Sequence, residues 1–524
     1  MISGGYSRRL GSGKMPGTAE RCASLPAMFL GTLLCVLGCW LGFPNETLRP
    51  PGAVLFFPLG TLIICLNAAT TLQAVLWACL AGSVAACLPI HWVGLPTLRH
   101  GGEMAQWAWL FPLLAAFGHG QYLAIYVLLV RRARARHGVI AFAVFAGILW
   151  MAMEWAKSAW CKFPLLTLTA GLAPWPVLVQ ACALIGSQAL AGAYVSSLAL
   201  IAGSRGRLAV LALPASIVAA LSLYGVWALD SPLPDVPAVS VTCVQGMMPV
   251  DMVWEEAKQL AAVRRMRDLT QEATLLGPSD FVLWSETILP MFFDLPTPMT
   301  DMIRGVARNG GLNLMFGALS RAAVDGRIVP RNRVFLLGPD GRVQAYYDKQ
   351  QLVPFGEYMP KWFRSLPRFI AGSSDVEPGP NDAPLSCGKA NIGALICFES
   401  MFPVLASERV AQGANLLVNF SNDLWFDGSA EPQLLLEHTS LRAVEQGRFM
   451  VRATNSGLTA LIDWRGRVVE SILPNQAASV RFANVPLLEV PTLFQRIGRV
   501  FVPGALLLAA AWSFVLIIPR WKRF

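Results

Sequence analysis

The chain has 524 residues, of which 55% are hydrophobic and only 14% charged, and its mean hydropathy is +0.50. That apolar excess is more than a soluble domain needs to fill its core, which excludes a purely soluble protein. The formal charge of +10 sits in short basic runs beside apolar segments, not along one amphipathic face, so it reads as a topology signal and not as a nucleic-acid surface.

The first 23 residues form a basic N-terminus carrying Arg8, Arg9, Lys14 and Arg21. Apolar runs near the length of a membrane span, about 20 residues, follow at 24–43, 53–71, 73–94, 107–130, 138–157, 176–203 and 208–229, with an eighth at 500–518. The first run has the flanks of a signal peptide, and "VLGC" at 36–39 is close to a lipoprotein processing site. Leu37 and the depth of the cysteine in the apolar run favour an uncleaved helix instead. Cys35, Cys39, Cys65, Cys79, Cys87 and Cys182 also lie inside apolar runs, where cysteine behaves as a small hydrophobe. No CxxC pair or His/Cys cluster supports a metal site.

Basic runs then set orientation. The N-terminal cluster, "RRARAR" at 131–136, Arg205 with Arg207, and "RWKRF" at 520–524 in the tail 519–524 all fall on one side if there are eight spans. The opposite loops are poor in Lys and Arg apart from Lys157 and Lys162. The positive-inside rule therefore puts both termini in the cytoplasm and the segment between the seventh and eighth spans outside.

In that segment, 236–490, the pattern changes to short β-rich runs: "AVSVTCVQ", "DFVLWSE", "LNLMFGALS", "RVFLLGPDGRVQAYYDK", "NIGALICFE", "ANLLVNFSND", "MVRATNSGLTALIDWRGRVVES" and "ASVRFANV". Helical segments at 253–276, 402–412 and 430–447 alternate with them. This is an α/β pattern, and tight turns such as "GPDGR" and "DWRGR" point to two layers of sheet.

Chemistry-bearing residues follow several of these strands, where α/β folds expose reacting groups: Glu286 in "FVLWSETILP", Lys349 and Glu357 in "YYDKQQLVPFGEYMP", and Cys397 in "ALICFES". A free thiol has a pKa near about 8.5, so it needs help at neutral pH. A lysine ammonium would favour the thiolate and steady an oxyanion, and a glutamate of raised pKa would take the thiol proton. Glu286, Lys349 and Cys397 are thus a complete acyl-transfer set. Taken one at a time, a strand-end cysteine or a loop Glu or Lys also fits a structural or solvated residue, and spacing does not show that the three meet. His438 is the only histidine in this segment, so any Cys-His arrangement rests on it alone.

The ordered stretches "WSETILP", "YYDKQQLVPFGEYMP", "ICFESMFP" and "NFSNDLWFDGS…EHTSLRAVEQGRFMVRATNSG" resemble the motifs of the carbon–nitrogen hydrolase (nitrilase) superfamily. With a helical membrane frame around an outer domain, the chain resembles the apolipoprotein N-acyltransferase family. The resemblance implies an α-β-β-α sandwich on a bundle of about eight membrane helices. It also implies a triad of Glu286 as general base, Lys349 as oxyanion stabiliser and Cys397 as nucleophile, with Glu357 and Glu399 as supporting active-site residues. Glu399 would orient the lysine or a backbone turn without accepting the thiol proton. Trp254 and Phe398 correspond to substrate-binding positions; Phe398 stands where many members carry tyrosine, and Val253 precedes Trp254 where lysine is common.

The implied reaction moves an acyl chain, the sn-1 chain, from a phospholipid donor through a thioester to the α-amino group of a diacylglyceryl-cysteine on an apolipoprotein acceptor. It needs no metal or organic cofactor. The implied location is a bacterial inner membrane with the catalytic domain in the periplasm, and the partners are the bilayer and these two substrates, with no nucleic acid. Two other readings are a membrane-anchored nitrilase-like amidase or hydrolase, in which water resolves the thioester, and a non-catalytic membrane assembly protein resembling conjugal-transfer homologues.

Overall fold

The computed structural model describes residues 18–45, 47–204, 208–249, 256–365, 375–380 and 383–518. Trp254, the basic positions Arg8, Arg9, Lys14, Arg205 and Arg207, and the tail 519–524 lie outside the described residues.

The expected apolar segments are helical, yet they do not make eight straight spans. Among the described residues, six helices are long and apolar enough to cross a bilayer: Leu25–Gly42, Thr71–His100, Leu110–Arg136, Val139–Ala159, Val210–Asp230 and Val500–Ile517. The segment expected at 53–71 is the shorter helix Ala53–Asn67. At 1.5 Å per residue it reaches only about 22 Å, against a hydrocarbon core of about 30 Å. It stops there because Thr70 is extended and caps the next helix, its Oγ1 accepting the Gln73 N–H at 3.1 Å. The segment expected at 176–203 is a bent pair, Pro176–Ile185 and Ser187–Gly203, with 115° between the halves. Gly186 makes the break with φ at 82°, a left-handed value that a side chain resists. A Cβ there would also run into the Phe494 ring.

Among the described residues, the α/β part carries thirteen strands in two sheets. The first sheet contains β1 (Ala238–Gln245), β2 (Phe281–Trp284), β3 (Leu289–Phe292), β4 (Leu314–Val324), β5 (Arg327–Leu337), β6 (Val343–Asp348) and β13 (Ala478–Pro486). Its order is β13-β1-β2-β4-β5-β6, with β3 beside β4. The second contains β7 (Leu385–Cys387), β8 (Ala390–Ile396), β9 (Leu416–Ser421), β10 (Met450–Thr454), β11 (Thr459–Ile462) and β12 (Val468–Ile472), in the order β12-β11-β10-β9-β8-β7. The central pairs β1–β2–β4 and β8–β9–β10 are parallel, so their carboxyl ends gather at one edge of each sheet. The strand β3, the helix Pro298–Gly310 and the strand β7 are elements the sequence reading did not separate.

The sheets pack face to face through residues such as Val241, Leu283, Met315 and Tyr347 on one side and Ala394, Ile396, Val418 and Phe420 on the other. Helices Glu256–Thr274 and Pro298–Gly310 cover the outer face of the first sheet. Helices Pro403–Ala411 and Glu431–Gln446 cover the second, and their apolar residues run without a break into the membrane helices. The result is an α-β-β-α sandwich with one helical layer pressed against the membrane bundle.

The helix Glu431–Gln446 joins the two parts. Arg442 donates to the Ser187 hydroxyl at 3.2 Å and to the Met401 carbonyl at 3.3 Å. Glu445 accepts the Ser187 N–H at 2.7 Å, capping the membrane helix that begins after the Gly186 break.

Candidate active site

Glu286 lies two residues past β2 and Lys349 immediately past β6, both on the first sheet, while Cys397 immediately follows β8 on the second. The loop carrying Glu286 is held against β4 because Gly317 leaves room for it: the Gly317 N–H donates to Ser285 O at 3.0 Å, and a Cβ at Gly317 would strike the Glu286 backbone.

Lys349 is 1% exposed. Its Nζ donates to Glu286 Oε1 at 3.0 Å and to Glu357 Oε1 at 3.0 Å. Burial works against its charge, but the carboxylates of Glu286 and Glu357, with Cys397 beside them, outweigh it and hold its pKa well above the lysine range. Asn332 on β5 donates to the same two oxygens, at 2.8 Å to Glu286 and 3.0 Å to Glu357. The other oxygens are taken by backbone: Glu286 Oε2 accepts the Asn422 N–H at 3.1 Å, and Glu357 Oε2 accepts the Val353 N–H at 2.8 Å.

Cys397 has φ at 51°, a left-handed conformation that costs a non-glycine residue about 1–3 kcal/mol. It opens the 3-10 turn Cys397–Met401, so the chain turns sharply as it leaves the strand. The surroundings enforce that turn. The Cys397 carbonyl accepts from Asn419 Nδ2 at 3.0 Å and from Ser400 Oγ at 3.2 Å. Arg452 fixes Asn419 at 2.6 Å and pairs with Asp423.

Burial pushes the Cys397 thiol well above its ordinary pKa, and Glu286 raises it further; Lys349 opposes the rise, while Glu431 and Asp423 add to it. The lysine does favour ionisation, but burial and the surrounding carboxylates win, and the thiol waits with its proton on.

Glu399 is fully buried and its oxygens are occupied by backbone. Oε1 accepts the N–H groups of Gln350 at 2.7 Å and Gln351 at 3.0 Å, and Oε2 accepts that of Ile396 at 2.7 Å. Tyr347 donates its hydroxyl to Glu399 at 2.9 Å and accepts from Arg409 at 2.7 Å. One carboxyl thus ties the residues that follow Lys349 to the residue that precedes Cys397. Burial raises its pKa, while the backbone N–H groups and Arg409 pull it back.

Phe398 packs on Phe402 at 5.1 Å and on Phe163 at 6.2 Å between ring centres, with Phe163 on the segment that follows the helix Val139–Ala159. His438 is not beside the thiol: its Nε2 donates to Leu165 O at 3.1 Å. Burial, with Arg442 nearby, lowers its pKa to about 3, so it stays neutral and serves as a tether. Asn332, Tyr347 and Arg409 are site residues the sequence reading missed; each lies on a strand or helix where only the partner across the fold gives its polarity a meaning.

The loops around the thiol rest on the membrane helices. Phe398 meets Phe163, Phe426 meets Trp92 at 5.2 Å, Trp425 meets His100 at 5.1 Å, and Phe355 meets Phe111 at 6.3 Å. Arg99 also donates to the Asp427 carbonyl at 2.8 Å. A thiol, a paired ammonium and carboxylates at strand ends, facing an apolar helical frame, form a site suited to acyl chemistry on lipid.

Residues 240–491 match the family model described as carbon-nitrogen hydrolase, which defines the class of the α/β part. Residues 36–203 match the apolipoprotein N-acyltransferase N-terminal domain. An apolipoprotein N-acyltransferase of Geobacter metallireducens is 30% identical over 507 residues, covering 93% of this chain and 94% of the relative. That of Gloeobacter violaceus is 30% identical over 480 residues, covering 87% and 88%. Among solved structures, an amidase from Nesterenkonia sp. is 18% identical with a TM-score of 0.37, covering 49% of this chain and 94% of that one. The chain belongs to the apolipoprotein N-acyltransferase family, and it is a multi-pass membrane acyltransferase.

Proposed function

We propose that the chain completes lipoprotein maturation by moving an acyl chain from a phospholipid, through a thioester on Cys397, to the α-amino group of a diacylglyceryl-cysteine. The observation that carries this reading is the Glu286–Lys349–Glu357 network beside a half-buried thiol whose neighbouring loops stand on the membrane part.

In the first half, Glu286 takes the thiol proton as sulfur attacks the ester carbonyl. Lys349, cationic throughout, faces the developing oxyanion. The C–O bond breaks, and Glu286 returns the proton to the lysophospholipid oxygen. Glu357 keeps the lysine in place while Glu286 is protonated, and Glu399 holds the two loops in register. In the second half the amine attacks the thioester, an amide forms, and the thiol is restored. The acyl tails stay in lipid while the headgroups reach the sulfur, which lowers the cost of bringing two amphiphiles together. The basic runs support an orientation with both termini in the cytoplasm and the α/β domain outside an inner membrane when the short helix Ala53–Asn67 and the bent pair Pro176–Ile185 and Ser187–Gly203 each complete a crossing.

Intact mass spectrometry on the purified full chain tests this. Incubation with phospholipid gives an acyl-sized mass gain in the wild type and none in Cys397→Ser, and a diacylated lipopeptide then discharges it with N-acyl product. No adduct on a folded wild-type chain overturns the assignment, and fatty acid in place of N-acyl product makes the enzyme a hydrolase.

A further inference from the structure

Glu431 opens the helix Glu431–Gln446. It is 4% exposed, and its Oε2 is fully buried without a hydrogen-bond partner among the described residues. Buried polar atoms are ordinarily paired, and an acidic residue at a helix start ordinarily meets the helix dipole as an exposed anion. Glu431 does neither.

The cations nearby are engaged through their terminal nitrogens, although the buried Arg452 Nε has no partner among the described residues. Arg452 is paired with Asp423 and Asn419, and Lys349 with Glu286 and Glu357. Yet the helix that Glu431 opens packs against the 3-10 turn Cys397–Met401 and against the segment Asp423–Phe426, so its charge is felt at the thiol and at Glu286. Burial keeps its proton on well above the usual carboxylate range; Asp423 adds to this, Arg452 opposes it, and Glu286 adds again. Such a carboxyl is neutral in the empty site and gains a counter-ion only when a cation arrives.

We propose that Glu431 is the subsite that receives the cationic α-amine of the acceptor and takes its proton before the thioester is attacked. This rests on the acyl-transfer reading above. An α-amine has a pKa of about 7.7–8.0, so the acceptor arrives mostly as an ammonium, which cannot attack. Glu431 releases its own proton to solvent as the ammonium docks. The carboxylate then takes one ammonium proton, and the free amine attacks the thioester carbonyl. The C–N bond forms, the C–S bond breaks, and the second nitrogen proton passes through Glu286 to the Cys397 sulfur. The third stays on the amide.

The test loads wild type, Glu431→Gln and Glu431→Asp with acyl thioester and follows discharge by two nucleophiles: a diacylated lipopeptide with a free α-amine, and hydroxylamine, which is uncharged at neutral pH. The expected result is a ratio of lipopeptide to hydroxylamine discharge that falls at least about tenfold in Glu431→Gln and is partly kept in Glu431→Asp. An unchanged ratio in Glu431→Gln overturns the proposal, as does a Glu431→Gln chain that fails to load thioester while Glu431→Asp loads. A wild type that never loads thioester sinks the acyl-transfer reading itself, a separate outcome.

Discussion

Asn332 donates its side-chain amide to Glu286 at 2.8 Å and to Glu357 at 3.0 Å, the same two carboxylates that Lys349 bridges. Two acids are thus held apart by one cation and one neutral donor. Replacing Asn332 with Ala leaves the cation but removes the donor. A hydrogen bond to a charged group contributes about 1.5–3 kcal/mol, so thioester formation slows by about 10- to 100-fold with the fold retained. Single-turnover mass spectrometry together with a thermal scan checks both parts.

Lys349→Met is more severe. It leaves Glu286 and Glu357 without their shared cation, and removing one partner of a buried ion pair costs about 3–5 kcal/mol. The pKa of Lys349 is raised in the fold, so its stabilisation is fully present below the unfolded value of about 10.4 and is lost only as pH rises through the higher folded value. The difference in thermal midpoint between wild type and Lys349→Met is therefore flat from neutral pH to about 10. A gap that closes between neutral pH and that limit contradicts the pairing.

The Cys397 thiol titrates far above its ordinary value through burial first and Glu286 second. Glu286→Gln removes one negative charge, so the thiol pKa falls while the base for acyl transfer is lost. Thiolate absorbance as a function of pH, taken as the difference between chains with Cys397 and with Cys397→Ser, reports the shift. The Glu286→Gln midpoint lies below that of the parent, and an unmoved midpoint means that the two groups do not interact.

Gly186 tests the joint between the two parts. Alanine there must hold φ near 82°, which costs about 1–2 kcal/mol, and its Cβ meets the Phe494 ring. A lower thermal midpoint in detergent is expected, with slower acyl transfer, because Ser187 beside it takes the Glu445 and Arg442 contacts. Leu184→Ala, two residues earlier and free of the left-handed requirement, serves as the comparison and is milder.

Much of the α/β part was legible because its strands are short apolar runs closed by turn residues. "AVSVTCVQ" is β1 residue for residue, and the turns at "GPDGR" and "DWRGR" carry glycines in the left-handed region at Gly341 and Gly466. The helix Pro298–Gly310 was also written in the chain, with Thr297 as its cap, Pro298 at its first position and Gly311 in the left-handed region at its end. Those signals were passed over because the segment carries no long apolar run. In the membrane part the sequence marks hydrophobic segments but not their bends: 176–203 is apolar on both sides of Gly186, so hydropathy has no means of registering the 115° turn.

The sequence by itself determined that a helical membrane frame carries an α/β domain, and it named Glu286, Lys349, Glu357 and Cys397 as the chemistry-bearing positions, with Glu399 implied by the family resemblance. Only the tertiary structure decided how they divide the work. Glu286 and Glu357 share Lys349, whereas Glu399 spends its oxygens on the N–H groups of Ile396, Gln350 and Gln351. Burial and the carboxylates raise the thiol pKa although a lysine stands close, and Glu431 is left buried with an oxygen unpaired among the described residues. The strength of a charge interaction depends on separation and on how much water surrounds it. Both are set by how two sheets and a membrane bundle close around the site, and neither is written in the spacing of residues along the chain.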